Sequence, residues 1–397
     1  MGKHRSNKIP SRIMLFMFLA AFLALATGAC SSSSDTTVAP TTATPDTTVA
    51  PTTAAPDTTV APDTTVAPTT AAPDWGAADF NGDGVVRIGV ATDGPRDDGA
   101  YYQALVESVE EISAAAGYEA PIIVDQIDPA NSGTELENLA AQGVDVIAIG
   151  SSSLADGNQD LFTKYDNIFW YCNCGSGFQD TPGLLRSADS GAEINISSGY
   201  ATGLLLQERG KDKTVFLGCC DLNFEVESLL AMEFGLSLVD ESFTVTYVPT
   251  GNFPFDFNNT AGATEAYSSA VAEGAAAVYP FLGGAHEPIV QLANEDGLIV
   301  MTAGSSKGCE RDDLNYDIEV MFDAGDYLET IFSEILTGDA TEGGVRMFTV
   351  GIDPQVGAAF CNATPEQVQA LADFNARIGA GEFSDKIYEI LSEAYGF

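Results

Sequence analysis

Positive charge is scarce in this 397-residue chain, where 16 Lys and Arg stand against 57 Asp and Glu for a formal net charge of −41. A surface of that sign repels phosphate backbones, which argues against nucleic acid and anionic membrane surfaces as partners. Histidine is scarcer still, with His4 near the start and His286 deep in the chain. A catalytic triad would have to recruit His286, and there is no Gly-x-Ser-x-Gly elbow, His-Glu-x-x-His helix or phosphate loop. The chain therefore reads as a non-enzyme that needs no cofactor, with a secreted hydrolase as the remote alternative.

Long apolar runs are also lacking. Ile13–Ala26 is too short to span a bilayer comfortably. It comes after the basic residues Lys3, Arg5, Lys8 and Arg12 and precedes Thr27-Gly-Ala-Cys30. That order resembles a bacterial lipoprotein signal, which implies removal of residues 1–29 and lipidation of Cys30 on the extracytoplasmic face of the cell membrane. An ordinary secretory signal or an anchor helix is the alternative, and either one implies export. Residues 30–74 lack large apolar side chains and repeat Asp-Thr-Thr-Val-Ala-Pro from Asp35, Asp46, Asp57 and Asp63. Such a segment has nothing to bury and reads as a disordered tether; at about 3.1 Å per residue in polyproline II it reaches on the order of 100 Å.

Beyond the tether the residue pattern turns dense in strands and helices. Val85, Val86, Ile88 and Val90 make a β-branched run that predicts a strand buried on both faces. Leu105, Val106, Val109, Ile112 and Ala116 then form one stripe of a helix that Asp97 or Asp98 can cap and Gly117 ends. Ahead of that strand, Asp79-Phe-Asn-Gly-Asp-Gly84 has the acidic spacing of a calcium loop, but its twelfth position is Val90 where a bidentate Glu belongs, so a polar turn is expected.

The alternation continues. Strands are expected at 121–125, 144–150, 168–171 and 183–186, with helices at 133–142 and 154–165. A second series sets helices at 193–209, 222–238, 261–273 and 285–294 between strands at 214–218, 243–249, 276–280 and 298–303. The tail adds strands near 318–321 and 345–351 and helices at 323–336, 365–380 and 384–394. Strand-helix alternation predicts doubly wound parallel sheets, because each right-handed crossover needs a helix to bring the chain back. The fold class is thus α/β, as two lobes joined by several crossings: 75–188 with 304–344, and 189–303 with 345–397. That arrangement is the hinged clamp of type I periplasmic binding proteins.

Six cysteines remain beyond Cys30: Cys172, Cys174, Cys219, Cys220, Cys309 and Cys361. An even number in an exported chain suggests disulfides. The expected set is Cys309 with Cys361, plus a bridge from the Cys172/Cys174 pair to the Cys219/Cys220 pair. The same C-x-C and C-C could hold zinc, but with one histidine in the mature chain no metal is expected.

Several segments together resemble the basic membrane protein family of lipoproteins, which includes purine-nucleoside receptors of ABC transporters. Asp98-Gly-Ala-Tyr-Tyr-Gln103 is similar to the family's Asp-Lys-Ser-Phe-Asn-Gln, Gly199-Tyr-Ala-Thr-Gly203 to its Gly-Ser-Tyr-Leu-Ala-Gly, Thr214–Asp221 to its second-lobe strand and loop, and Val278–Gly284 to its strand ending in Ala-Ala-Gly-Gly. The resemblance runs over most of 85–355. It implies an extracytoplasmic solute-binding lipoprotein that hands a nucleoside-like solute to a membrane permease, with Tyr101 stacking on the solute and Asp98 opening the same helix. Ala303-Gly-Ser-Ser-Lys307 lacks the acid that holds ribose in the family, and Val320 stands in place of its lysine.

In an open α/β sheet ligands sit beyond the carboxyl ends of the strands. The ligand-binding candidates are accordingly Asp97, Asp98, Tyr101, Tyr102, Gln103, Ser151, Ser152 and Ser153 from the first lobe. The second supplies Asp221, Phe224, Phe281, Gly283, Gly284 and His286, and the crossing Ser305, Ser306 and Lys307. Tyr101 and Tyr102 point about 100° apart on a helix, so one of them must leave the core face. Phe253, Phe255 and Phe257 suggest a loop laid on the second lobe, and Trp170 reads as core. A surface sensor or adhesion scaffold is the alternative from another class.

Overall fold

A computed structural model of the chain describes residues 78–174, 180–252 and 256–397. The leader, Cys30, the tether, Phe253 and Phe255 lie outside the described residues. From Asp79 to Gly84 the chain makes a polar turn: Asp79 accepts from the Gly82 and Gly84 N–H groups at 2.8 and 3.1 Å, and Asp83 from that of Val85 at 2.9 Å.

The first half then runs β1 (Ile88–Ala91), α1 (Tyr101–Ala116), β2 (Ile122–Val124), α2 (Ser132–Ala140), β3 (Val146–Ile149), α3 (Ser152–Ala155), α4 (Gln159–Lys164), β4 (Phe169–Asn173) and β5 (Leu184–Ala188). The second runs α5 (Gly191–Arg209), β6 (Lys213–Gly218), α6 (Asn223–Ser237), β7 (Thr244–Pro249), α7 (Thr260–Ala272), β8 (Ala277–Pro280), α8 (His286–Asp296) and β9 (Ile299–Val300). The tail adds β10 (Ile318–Phe322), α9 (Ala324–Thr337), β11 (Val345–Met347), β12 (Val356–Phe360), α10 (Pro365–Gly379) and α11 (Ser384–Tyr395).

The first sheet has the order β11-β5-β4-β3-β1-β2 with every pairing parallel. Its inner strands β1, β3, β4 and β5 are buried on both faces, while the edge strands β2 and β11 are partly exposed. Val146 and Ala148 of β3 join Leu105 and Val109 of α1 and Leu328 and Ile331 of α9, while Ile147 and Ile149 join Leu136 of α2, Phe162 of α4 and Trp170. Trp170 is core, packed 5.1 Å from the Phe162 ring. The second sheet, β7-β6-β8-β9, is also parallel. β10 continues it through a parallel bridge from Met301 to Ile318 and pairs antiparallel with β12. The fold is the two-lobed α/β architecture that the alternation implies.

Several details differ from what the sequence implies, among them β12, a strand its periodicity does not announce. β10 joins the second lobe's strands rather than the first, and β11 pairs with β5 of the first lobe rather than staying with the second. The chain therefore crosses between lobes after β5, after β10 and after β11, so the expected breaks at 304 and 345 each move towards the C-terminus. The expected helix 154–165 is two short helices, because Asp156-Gly157 takes the backbone out of helix, with Gly157 at φ 84. The cysteine pairing is local: Cys172 bonds Cys174, Cys219 bonds Cys220, and Cys309 bonds Cys361 as expected. The first two pairs end β4 and β6, on different sheets, and each closes on its own neighbour.

Candidate functional site

Residues past the carboxyl ends of β1 in the first sheet, of β8 and β9 in the second, and of β10 collect in one region. Between the lobes a cavity of about 710 Å³ is lined by Asp97, Asp98 and Gln103 from the start of α1, by His286 and Glu287 from the start of α8, and by Ser305, Lys307, Arg311 and Asp323 from the segment between β9 and α9. Lys307 reaches across to Glu111 of α1 at 3.9 Å.

Asp98 is buried and turned onto its own helix: its carboxylate accepts from the N–H groups of Ala100 and Gln103 at 3.0 Å each and of Tyr102 at 3.4 Å. Burial pushes its pKa up against those bonds. Asp98 is thus a capping residue on the cavity wall. Gln103 accepts from Gly99 N–H at 3.0 Å and donates to Glu107 at 2.7 Å. His286 has both nitrogens engaged, Nδ1 with the Pro280 carbonyl at 2.7 Å and Nε2 with Tyr316 Oη at 3.1 Å. A carbonyl only accepts, so Nδ1 carries the proton and Nε2 accepts from the phenol. Burial holds the imidazole's pKa below its usual value, which favours this neutral form. Arg311 is clamped between Glu287 and Asp313, each at 2.7 Å.

A second group lies at or just past the ends of β1, β3, β4 and β5. The phenol of Tyr102 donates to Asp93, as does the Ser153 hydroxyl, and Ser151 and Ser153 share a bond of 2.7 Å. Tyr101 turns its ring 77° to that of Tyr102, with centroids 5.5 Å apart, and donates to the Asn173 carbonyl at 3.1 Å. Asp189, directly after β5, accepts from Tyr327 at 3.0 Å, and the Tyr327 ring stacks on Phe348 at 4.0 Å. Those three residues sit at the three crossings, so the hinge is held by one contact chain. Burial raises the Asp189 pKa to about 6, with Glu227 and Glu193 adding to the rise and the Tyr327 bond opposing it. Its negative charge bears on the phenols of Tyr101, Tyr171, Tyr279 and Tyr327, which come from both lobes.

Of the residues chosen from sequence, Asp97, Asp98, Gln103, Gly284, His286, Ser305 and Lys307 line the cavity. Ser306 donates its N–H to Asp323 at 3.2 Å beside it. Tyr101, Tyr102, Ser151 and Ser153 belong to the second group, and Ser152 starts α3 next to them. Asp221 is exposed in a left-handed turn at φ 58, its N–H donating to Tyr247 at 2.9 Å. Phe224 and Phe281 pack on each other at 6.0 Å, Phe257 lies 6.5 Å from Phe224, and Gly283 donates to the Phe257 carbonyl at 3.2 Å. Asn173, Asp189, Tyr279 and Asp323 join these residues although they are not among those chosen from sequence. A polar residue at or just past a strand's end marks Asn173, Asp189 and Asp323, and that rule finds all three.

No family model matches the chain, and no curated protein matches it. Solved structures do. A solute-binding protein of an ABC transporter system from Conexibacter woesei matches with TM-score 0.59 at 15% identity, over 75% of this chain and 97% of that one. ABC transporter solute-binding proteins from Aeropyrum pernix K1 match with TM-score 0.56 at 12% identity, over 78% and 92%. A transcriptional activator of the comK gene from Bacillus halodurans matches with TM-score 0.57 at 14% identity, over 73% and 96%. At such identities the likeness is one of fold, and the fold is that of type I periplasmic binding proteins.

Proposed function

We propose that this chain is an extracytoplasmic receptor that captures a small polar solute between its lobes and delivers it to an ABC-type permease, held to the membrane only through a lipid on Cys30. The observation that carries this reading is the cavity between two parallel sheets, lined from the start of α1 in one lobe and the start of α8 in the other. A solute touching both walls stabilises the closed form by its differential contacts, which is what a hinge with three crossings can use. The ABC solute-binding proteins among its structural neighbours support the same role. The resemblance to nucleoside receptors makes a purine nucleoside the first solute to titrate.

Two measurements test the reading. The purified chain, denatured after purification, should release a small solute unchanged in mass spectrometry; a chain that binds no metabolite behaves as a scaffold, and one that converts its guest is an enzyme. Cys30→Ala should move the protein from the membrane fraction to the soluble fraction, and retention on membranes would remove the lipid anchor.

A further inference from the structure

Three carboxylates that follow strand ends stand without a basic partner, and one of them, Asp323, lines the cavity. Asp93 follows β1, Asp189 follows β5 and Asp323 follows β10, and the charges of all three bear on the Tyr101 phenol. None of them takes part in an ion pair with a described Lys, Arg or His. Their donors are hydroxyls and backbone N–H groups: Tyr102 and Ser153 on Asp93, Tyr327 on Asp189, Ser306 and Gly325 on Asp323. Grouped negative charge that is partly withdrawn from water is unfavourable unless a counter-charge arrives.

Two buried polar atoms at the same place have no partner at all. Asn173 is 1% exposed; its Oδ1 accepts from Ser187 at 2.9 Å, its backbone carbonyl holds Tyr101, and its Nδ2 donates to nothing. Tyr279 is 0% exposed, comes from β8 of the opposite lobe, lies within the field of Asp189, and leaves its hydroxyl unpaired. A buried donor without an acceptor loses its hydration with nothing in return, so orphans from two facing lobes point to a guest that supplies the missing atoms. A metal ion does not fit. Among the described residues the only three His, Cys or carboxylate ligand atoms within 4.8 Å of one another are those of Cys309, Glu319 and Cys361, so the three carboxylates here stand too far apart for one ion.

We propose that the solute carries a protonated amine whose salt-bridge partner is Asp189, with Asp93 and Asp323 adding to the negative field around it, together with an oxygen acceptor that takes hydrogen bonds from Asn173 Nδ2 and Tyr279 Oη. The proposal rests on the receptor reading and narrows it. Asp97 and Glu107 on the cavity wall act in the same direction on an approaching cation, while Glu287 there is already paired with Arg311.

The test uses the full-length chain and a metabolite extract divided on a cation-exchange column into a retained amine pool and a flow-through of neutral and anionic compounds. Native mass spectrometry and thermal shift are read with each pool, for the wild type and for Asp189→Asn and Tyr279→Phe. The expected result is a bound mass from the amine pool alone, with affinity reduced tenfold or more in both variants. Tyr279→Phe removes only an unpaired hydroxyl, so a residue with a purely structural role there would leave binding unchanged. A bound mass from the flow-through, adenosine included, overturns the amine and leaves the receptor standing. Binding from neither pool overturns both.

Discussion

Asp189 is badly placed for a charge: it sits at the hinge, half out of water, with Glu193 of α5 and Glu227 of α6 adding repulsion, the phenols of Tyr101, Tyr171 and Tyr279 around it and only Tyr327 donating to it. Its folded pKa of about 6 lies above the value of 3.8 expected without these surroundings. Between those values the folded chain keeps the proton and the unfolded chain has lost it, so folded stability falls as pH rises through this window and stays lowered above it. Two units correspond to about 3 kcal/mol at most, less for the water that reaches this side chain. Solute-free protein should therefore melt at a higher temperature near pH 5 than at pH 7.5, and Asp189→Asn should flatten that dependence and raise the melting point at pH 7.5. Parallel curves for the two proteins would show that Asp189 is already compensated. Residues of this kind are hard to read from sequence because an acid after a strand looks like any loop acid in so acidic a chain. Asp98 and Trp170 were legible since a helix start and an apolar run state their own purpose, whereas the orphaned state of Asn173 and Tyr279 exists only after the lobes meet.

At the level of elements, α5 and α6 pack closely because glycines face each other across them. A methyl added at Gly199 would run into the Met232 carbonyl, and one added at Gly235 into the carbonyl of Ile196. Neither has a positive φ, so what they supply is closeness of approach rather than unusual backbone. Gly199→Ala should cost about 1–3 kcal/mol or more by forcing the pair apart. Gly344→Ala, where the added methyl meets nothing nearer than 3.4 Å, should be close to neutral. Denaturant midpoints compare the two, and equal midpoints would mean that the helix pair yields without cost. Nearly every element was readable from periodicity, since helices such as α9 carry a continuous stripe of Leu328, Ile331 and Ile335. β12 was not, because Val-Gly-Ala-Ala-Phe has neither alternation nor β-branched density and becomes a strand only by pairing with β10. The placement of β10 and β11 escaped for a related reason: a strand's sequence does not say which sheet it joins.

For the molecule as a whole, the bond between Cys309 and Cys361 closes a loop with a sequence separation of 52. That loop leaves the second lobe after β10, visits the first lobe as α9 and β11, and returns as β12, so it contains two of the three crossings. One covalent bond thus fixes the whole excursion at its two ends in the second lobe, with Cys309 beside Lys307 and Arg311 on the cavity wall. In the chain-entropy picture a loop of this length contributes roughly 4 kcal/mol by restricting the unfolded chain. Replacing both cysteines by serine should lower the denaturant midpoint by a corresponding amount. It should also weaken solute binding, because the segment carrying Ser305, Lys307 and Arg311 loses one of its two anchors. The two effects separate: a lower midpoint with unchanged affinity would mean that the wall is held by Arg311 between Glu287 and Asp313 without help from the disulfide. An unchanged midpoint would mean that the contact chain of Asp189, Tyr327 and Phe348 already holds the three crossings together. In that case Phe348→Ala, which removes the stacked ring at the third crossing, becomes the substitution that separates the lobes' unfolding transitions.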